Sequence, residues 1–261
     1  MTVYTDVLRY RELFANLFRR DFQAKYKGSA LGVLWSLLNP LILLLVYFVV
    51  FGVVLKRQPI VHYPLYLLAG LAGWIFFSVS LQASSRAMID SAELIKKVKF
   101  PRQLVAFSMV ATQTVTFAVM TAILIVLSLV FVPAGRTTVW LVLPLAVVFV
   151  GFVAGMALLA ASLNVLYRDI EHILTAALLP WFFLTPIIWS SAKLGGHHKL
   201  LDVLRWGNPV APPIYAMRDT IWLGHLPRLA DVVYLLVAAA TALVLGSLVF
   251  RAVDDRIAVE L

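Results

Sequence analysis

The side chains able to do chemistry are few, and they stand outside the apolar runs. The chain has 261 residues with 13 Asp plus Glu and 5 His. Six apolar runs, at 30–55, 63–88, 104–132, 139–166, 173–190 and 232–250, hold none of these acids and none of the His. A carrier driven by protons or sodium needs an ionisable or polar group at membrane depth, so that class is disfavoured. No paired carboxylates, nucleophile elbow or metal-ligand cluster is present, so no catalytic residue and no metal site is assigned. His197-His198 lacks an acid or third His beside it and reads as a solvated outer loop. No G-x-x-x-x-G-K-[ST] occurs, so the chain has no P-loop of its own for ATP.

Charge is instead gathered for contact, and it lies in two places. In the loop 86–102, Asp90 and Glu93 have the spacing of a capping box, which predicts a short helix over 90–100. Leu94, Ile95 and Val98 form its apolar side, Lys96, Lys97 and Lys99 its basic side, and Phe100-Pro101 stops it before Arg102. Two capped turns are more than a connector needs. The second place is the stretch Arg19–Pro40, where Arg20, Lys25 and Lys27 immediately precede a long apolar run. Asp21 falls towards the apolar side of the preceding helix, which predicts a partnered break there. Lys25 and Lys27 are expected to face anionic headgroups or the phosphate of a lipid.

The third chemical feature is aromatic. Trp74, Phe76 and Phe77 form one group, and Trp181, Phe182 and Phe183 another. Trp and Tyr collect at membrane interfaces, which accounts for many rings of this chain. The second reading is a pathway, because the apolar C–H faces of sugars stack on rings.

The elements that must position these groups follow from composition. The chain is 62% hydrophobic and 13% charged, whereas a soluble domain has roughly 45–50% apolar and about 25% charged residues. The apolar runs are continuous rather than alternating, which favours spanning helices over a lipid-facing barrel. The expected fold is an all-α membrane protein with six transmembrane helices. Residues 1–28 precede the first run, and Val7, Tyr10, Leu13, Phe14, Leu17 and Phe18 share one face of a helix over 3–23. Such a helix lies in the membrane interface or docks a cytosolic partner, and the two are compatible. Asn39-Pro40 should kink the first run, and Pro180 and Pro186 should break the fifth. Between 193 and 228, short apolar stretches punctuated by Pro and Gly read as re-entrant helices. Gly151 and Gly155 form a G-x-x-x-G, a frequent chance match in apolar sequence.

Net charge is +9, and its distribution explains it without nucleic acid. Segments 1–29, 86–102, 167–172 and 251–261 hold fourteen Lys plus Arg, against three in the short loops 56–63 and 133–138. Positive residues stay inside, so both termini are expected in the cytoplasm. The chain lacks Cys, and its polar beginning is no removable signal peptide.

With these features in hand, the chain resembles the permease subunits of ABC-2-type exporters, and among them those that move O-antigen, teichoic acid or related lipid-linked glycans. Three motifs carry the resemblance. They are Lys25-Tyr26-Lys27-Gly28-Ser29 with Leu31-Gly32 and Trp35; Leu94-Ile95-Lys96-Lys97-Val98 with Phe100-Pro101-Arg102; and Trp206-Gly207-Asn208-Pro209 with Pro213 and Tyr215. The resemblance implies a homodimer in the bacterial cytoplasmic (inner) membrane, each subunit paired with a cytosolic ABC ATPase that alone holds ATP and Mg. It makes 90–100 the coupling helix, with Asp90, Glu93, Lys96, Lys97 and Arg102 at or supporting the ATPase contact. It makes Arg20, Lys25 and Lys27 the place where substrate enters, the two aromatic groups the channel lining, and 193–228 an outer gate. A capsule, drug or other lipid-like substrate is the alternative within the class. A membrane scaffold without transport is the rival outside it.

Overall fold

A computed structural model describes residues 3–29, 31–54, 60–189 and 198–260, all as helices joined by short connections, with no strand among them. Ala30, Leu55, the loop from Lys56 to Pro59, Ser190, Lys193 and His197 lie outside the described residues. Eleven α-helices are described. Two short ones begin the chain, α1 (Thr5–Arg9) and α2 (Arg11–Tyr26), followed by α3 (Trp35–Tyr47), which passes into a π-helical turn over Phe48–Val54. Then come α4 (Tyr63–Asp90), α5 (Ala92–Lys97), α6 (Gln103–Phe131), α7 (Val142–Leu166) and α8 (Asp169–Leu184). The last are α9 (His198–Trp206), α10 (Ala211–Arg218) and α11 (Leu229–Glu260).

Four of these helices are long and apolar enough to cross a membrane: α4, α6, α7 with its leading turn, and α11. The 16 residues of α8 extend about 24 Å at 1.5 Å per residue, against a hydrocarbon core of about 30 Å. The first run has a shorter apolar helix at Leu38–Val54. Pro40 stands within α3 without ending it; the departure from α geometry comes one turn and more later, in the π turn. Pro180 likewise stays inside α8, and the helix ends at Leu184, before Pro186.

Helix α4 is the centre of the bundle. Its apolar surface runs all the way round, and from Leu65 to Trp74 every residue is buried. Against it pack α6, α7, α8 and α10. Helices α7 and α11 make the most extensive pair, and small residues bring them together. A Cβ on Gly155 would stand 2.4 Å from the Ala242 carbonyl carbon, and one on Gly246 would stand 2.5 Å from the Gly155 oxygen. In lipid, where apolar burial gives little drive, such close packing is what holds helices together. Gly151 meets nothing closer than 3.9 Å. Only one glycine of the G-x-x-x-G pair is in close contact, and its partner is Gly246.

The helix expected over 3–23 is divided. Tyr10 leaves helical geometry, and α2 then runs on to Tyr26 without a break at Asp21. Asp21 is buried and partnered as expected, but by packing against α6 in mid-helix: it accepts from Ser108 Oγ at 2.6 Å. From Asp21 onward α2 follows α6 in the same direction, because the next link is Lys25 to Gln113.

Candidate functional site

The second half of α2 joins two sites. At one end Arg20 donates from Nε to Asp21 Oδ1 at 2.8 Å and from Nη2 to Ser91 Oγ at 3.3 Å. Ser91 is the residue from which α5 starts. Five residues on, Lys25 Nζ donates to Gln113 Oε1 at 2.8 Å and lies 3.5 Å from Thr116 Oγ1. Gln113 stands ten residues into α6, about 15 Å from its start. The ammonium of this exposed residue therefore lies along α6. Lys27 is exposed beyond the end of α2.

Lys25 forms part of the wall of a cavity of about 690 Å³ between α2, α3, α4, α6 and α8. The polar part of the lining consists of Gln113 and Thr116, which meet the ammonium, and of Gln82, Ser78, Thr175 and Asn39. The remaining wall is aliphatic and aromatic, including Trp74, Tyr47 and Phe182. Tyr47 and Phe182 stack at 5.6 Å, and Trp74 lies 5.7 Å from Phe182. Hydroxyl and amide groups suit sugar hydroxyls, and rings suit their C–H faces, so the cavity offers both parts of carbohydrate recognition. A larger groove of about 880 Å³ between α1, α2 and α6 is almost wholly apolar and offers hydrophobic surface alone.

The two aromatic groups divide by helix face. Trp74 and Phe182 are themselves buried but border the cavity. Phe76 instead stacks on Phe117 at 4.6 Å, and Phe77 on Phe152 at 6.0 Å, both buried in the core. Trp181 packs against Phe77 at 5.3 Å and donates Nε1 to Asn208 Oδ1 at 2.9 Å. Phe183 points outward. Rings adjacent in sequence on a helix lie about 100° apart, so three consecutive positions cannot all line one cavity.

Helix α5 presents a charged outer face. Ile95 is buried beneath it, while Glu93, Lys96, Lys97, Val98 and Lys99 are exposed. The expected capping box does not form. Helix α4 continues through Asp90, so α5 starts from Ser91 and Glu93 is its second residue, one short of the third position that a capping box requires. The Glu93 carboxylate pairs along its own helix with Lys97 at 2.9 Å. Arg102 turns away from this face; it donates to the Asp254 carbonyl and, at 3.1 Å, to its carboxylate, tying the start of α6 to the end of α11. Beside α5, Arg86 pairs with Glu171 at 3.0 Å. Asn164 bridges the same two helix ends, donating to the Ser85 carbonyl at 2.9 Å and accepting from the Glu171 amide at 3.0 Å.

The opposite end of the bundle holds Arg218, which the sequence reading passed over, beside residues of the Trp206–Pro209 motif. Arg218 is 1% exposed and donates to the Tyr66, Pro186 and Ile187 carbonyls, with its guanidinium centre 3.6 Å from the centroid of the Tyr66 ring. Gly70 makes the room: a Cβ there would lie 2.2 Å from Nη2. Asn208, in the Trp-Gly-Asn-Pro motif, accepts from Trp181 and from the Val210 amide at 3.1 Å, and donates to Thr185 Oγ1 at 2.8 Å. Arg205 pairs with the buried Asp231 at 2.5 Å and stacks over Tyr215. A lone cation within a Pro- and Gly-punctuated apolar stretch was the available signal for Arg218.

The ABC-2 type transporter family matches residues 12–222. The chain is 32% identical over 243 residues to the O-antigen export system permease protein of Myxococcus xanthus, covering 92% of this chain and 90% of the relative. It is 30% identical to the O-antigen export system permease protein of Klebsiella pneumoniae, over 82% of each. A polysialic acid transport protein of Escherichia coli is 23% identical over 92% of each. The matched range spans α2, the α5 face and the cavity between α2, α4, α6 and α8, and the chain belongs to the ABC-2 type transporter family.

Proposed function

We propose that this chain is the transmembrane permease of an exporter that moves a lipid-linked polysaccharide across the bacterial cytoplasmic membrane. A separate cytosolic ABC ATPase holds ATP and Mg and supplies the energy. The observation that carries this reading is the double attachment of α2: Arg20 touches the start of α5, and Lys25 stands in the cavity wall. An ATPase bound to the exposed Glu93, Lys96 and Lys97 would push on α5 and, through Ser91 and Arg20, on the helix that carries Lys25. Arg86 and Glu171 give α8, the opposite wall, the same connection. Asp90 and Arg102 support this surface by ending α4 and anchoring α6.

In this mechanism Lys25 meets the phosphate of the lipid carrier, and Trp74 and Phe182 meet the sugars that follow. The cavity is open on one side, bounded by the largely exposed α3 and α8; a second copy closes it, giving a homodimer of six-span subunits. The region 198–228, with α9 and α10, forms the outer gate. The similarity to O-antigen permeases over nearly the whole chain supports a glycan cargo, and the more distant polysialic acid relative supports capsule export as a second reading.

The test is export in vesicles carrying the chain and its ATPase. Glycan should cross only with hydrolysable ATP and should continue when ionophores collapse ion gradients. Loss of export on adding ionophore, with ATP still present, would make the chain a secondary carrier.

A further inference from the structure

Among the described lining residues the cavity wall carries one full charge. It belongs to Lys25, whose two polar neighbours, Gln113 and Thr116, are both neutral. An ammonium has three N–H donors, so one remains for an incoming anion, and no carboxylate on the wall offsets its charge. Beyond it the polar lining consists of uncharged amides and hydroxyls such as Ser78, Gln82 and Thr175. Pores that pass anions through a membrane line their path with successive Lys or Arg, because each anion must exchange its water for fixed positive charge. Here the buried Arg218 cannot serve, since its donors go to the Tyr66, Pro186 and Ile187 carbonyls.

We infer that the polymer carried by this chain is uncharged along its length, and that its one anionic part is the phosphate head met by Lys25. This deepens the export reading and rests on it. A single cation serves a head group that passes once; a polyanion would bring a new negative charge to Ser78, Gln82 and Thr175 with every repeat. Neutral sugars bring only hydroxyls, which these groups match, and C–H faces, which Trp74 and Phe182 match.

The experiment presents the complex of this chain with its ATPase with two cargoes on the same polyprenyl pyrophosphate. One is a neutral hexose polymer, and the other is the same polymer with one uronate per repeat. Surface polymer should be at least tenfold higher for the neutral cargo. Gln82 is exposed to the cavity, so Gln82→Lys is tolerated by the fold and should narrow that ratio at least threefold. Equal export of both cargoes by the wild-type complex overturns the inference while leaving the export reading intact. Export of neither overturns the export reading itself. A ratio unmoved by Gln82→Lys removes the cavity as the place where charge is selected.

Discussion

The two ends of the bundle are held in different ways. At the end bearing α5, the ion pairs have at least one partner in water, Arg20 with Asp21, Arg86 with Glu171 and Glu93 with Lys97, and the buried Asn164 adds two bonds to backbone. Exposed pairs of this kind contribute about 0–1 kcal/mol each and can exchange partners. At the end bearing α10, Arg218 and Asn208 bind backbone and side-chain groups that have no access to water. Removing such a partner leaves buried acceptors unmet, which costs far more than the loss of a surface pair. The difference assigns movement to one end and fixed geometry to the other. On the proposed reading, an ATPase bound at α5 would shift weakly held contacts while the α8–α10 junction keeps the cavity wall in register.

Breaking the fixed end gives the largest effects. Arg218→Ala strands three carbonyls, each losing a charge-assisted bond worth about 1.5–3 kcal/mol, so the variant should lose at least ~3 kcal/mol in detergent denaturation or fail to accumulate. Arg218→Lys keeps the charge but not the planar fork and should fall between. Little change on Arg218→Ala would erase the contrast between the two ends. Asn208→Ala frees the Trp181 and Val210 N–H groups and should cost about 2 kcal/mol. Hydrogen exchange should rise at the ends of α8 and α10 and stay unchanged at α5; a rise spread over the whole chain would argue against a local junction.

At the movable end the sign of the outcome differs, with small stability changes and large functional ones. Asp21→Asn keeps an acceptor for Ser108 but weakens the pull on Arg20, which is itself largely solvated, so stability should fall by only about 1 kcal/mol. Glycan exported per ATP hydrolysed should fall at least threefold, and an unchanged ratio would remove α2 from the transmission path. The smallest stability effect belongs to the exchange Glu93→Lys with Lys97→Glu. The pair is retained in its less favourable order, a change within about 0.5 kcal/mol, yet the charge pattern facing the ATPase is inverted. Loss of permease-dependent ATPase stimulation with an unaltered melting profile is the expected result; full stimulation would place the docking surface elsewhere.

Much of this layout was legible in the residues. Four of the six apolar runs marked the long helices, and the helix expected over 90–100 is present but shorter, at Ala92–Lys97. The two-sided character of the loop 86–102 was recognisable because Ile95 and the Lys residues separate at helical spacing. The capping detail that failed there depends on the preceding helix: α4 runs on through Asp90, which moves the start of α5 to Ser91, and no spacing rule within 90–93 could report that.

The sequence by itself determined where helices are long and apolar, which loops are basic, and that the chain has no nucleotide site of the P-loop kind. Tertiary structure alone decided which faces of those helices matter. An apolar helix such as α4 has no polar stripe to orient it, so its rotation is set by packing against α6, α7, α8 and α10. That rotation makes the buried Trp74 border the cavity, while Phe76 and Phe77 stay in the core away from it. It also places Gly70 beneath Arg218 and lets α2 bring Lys25 to Gln113, contacts between segments whose partners lie far apart along the chain.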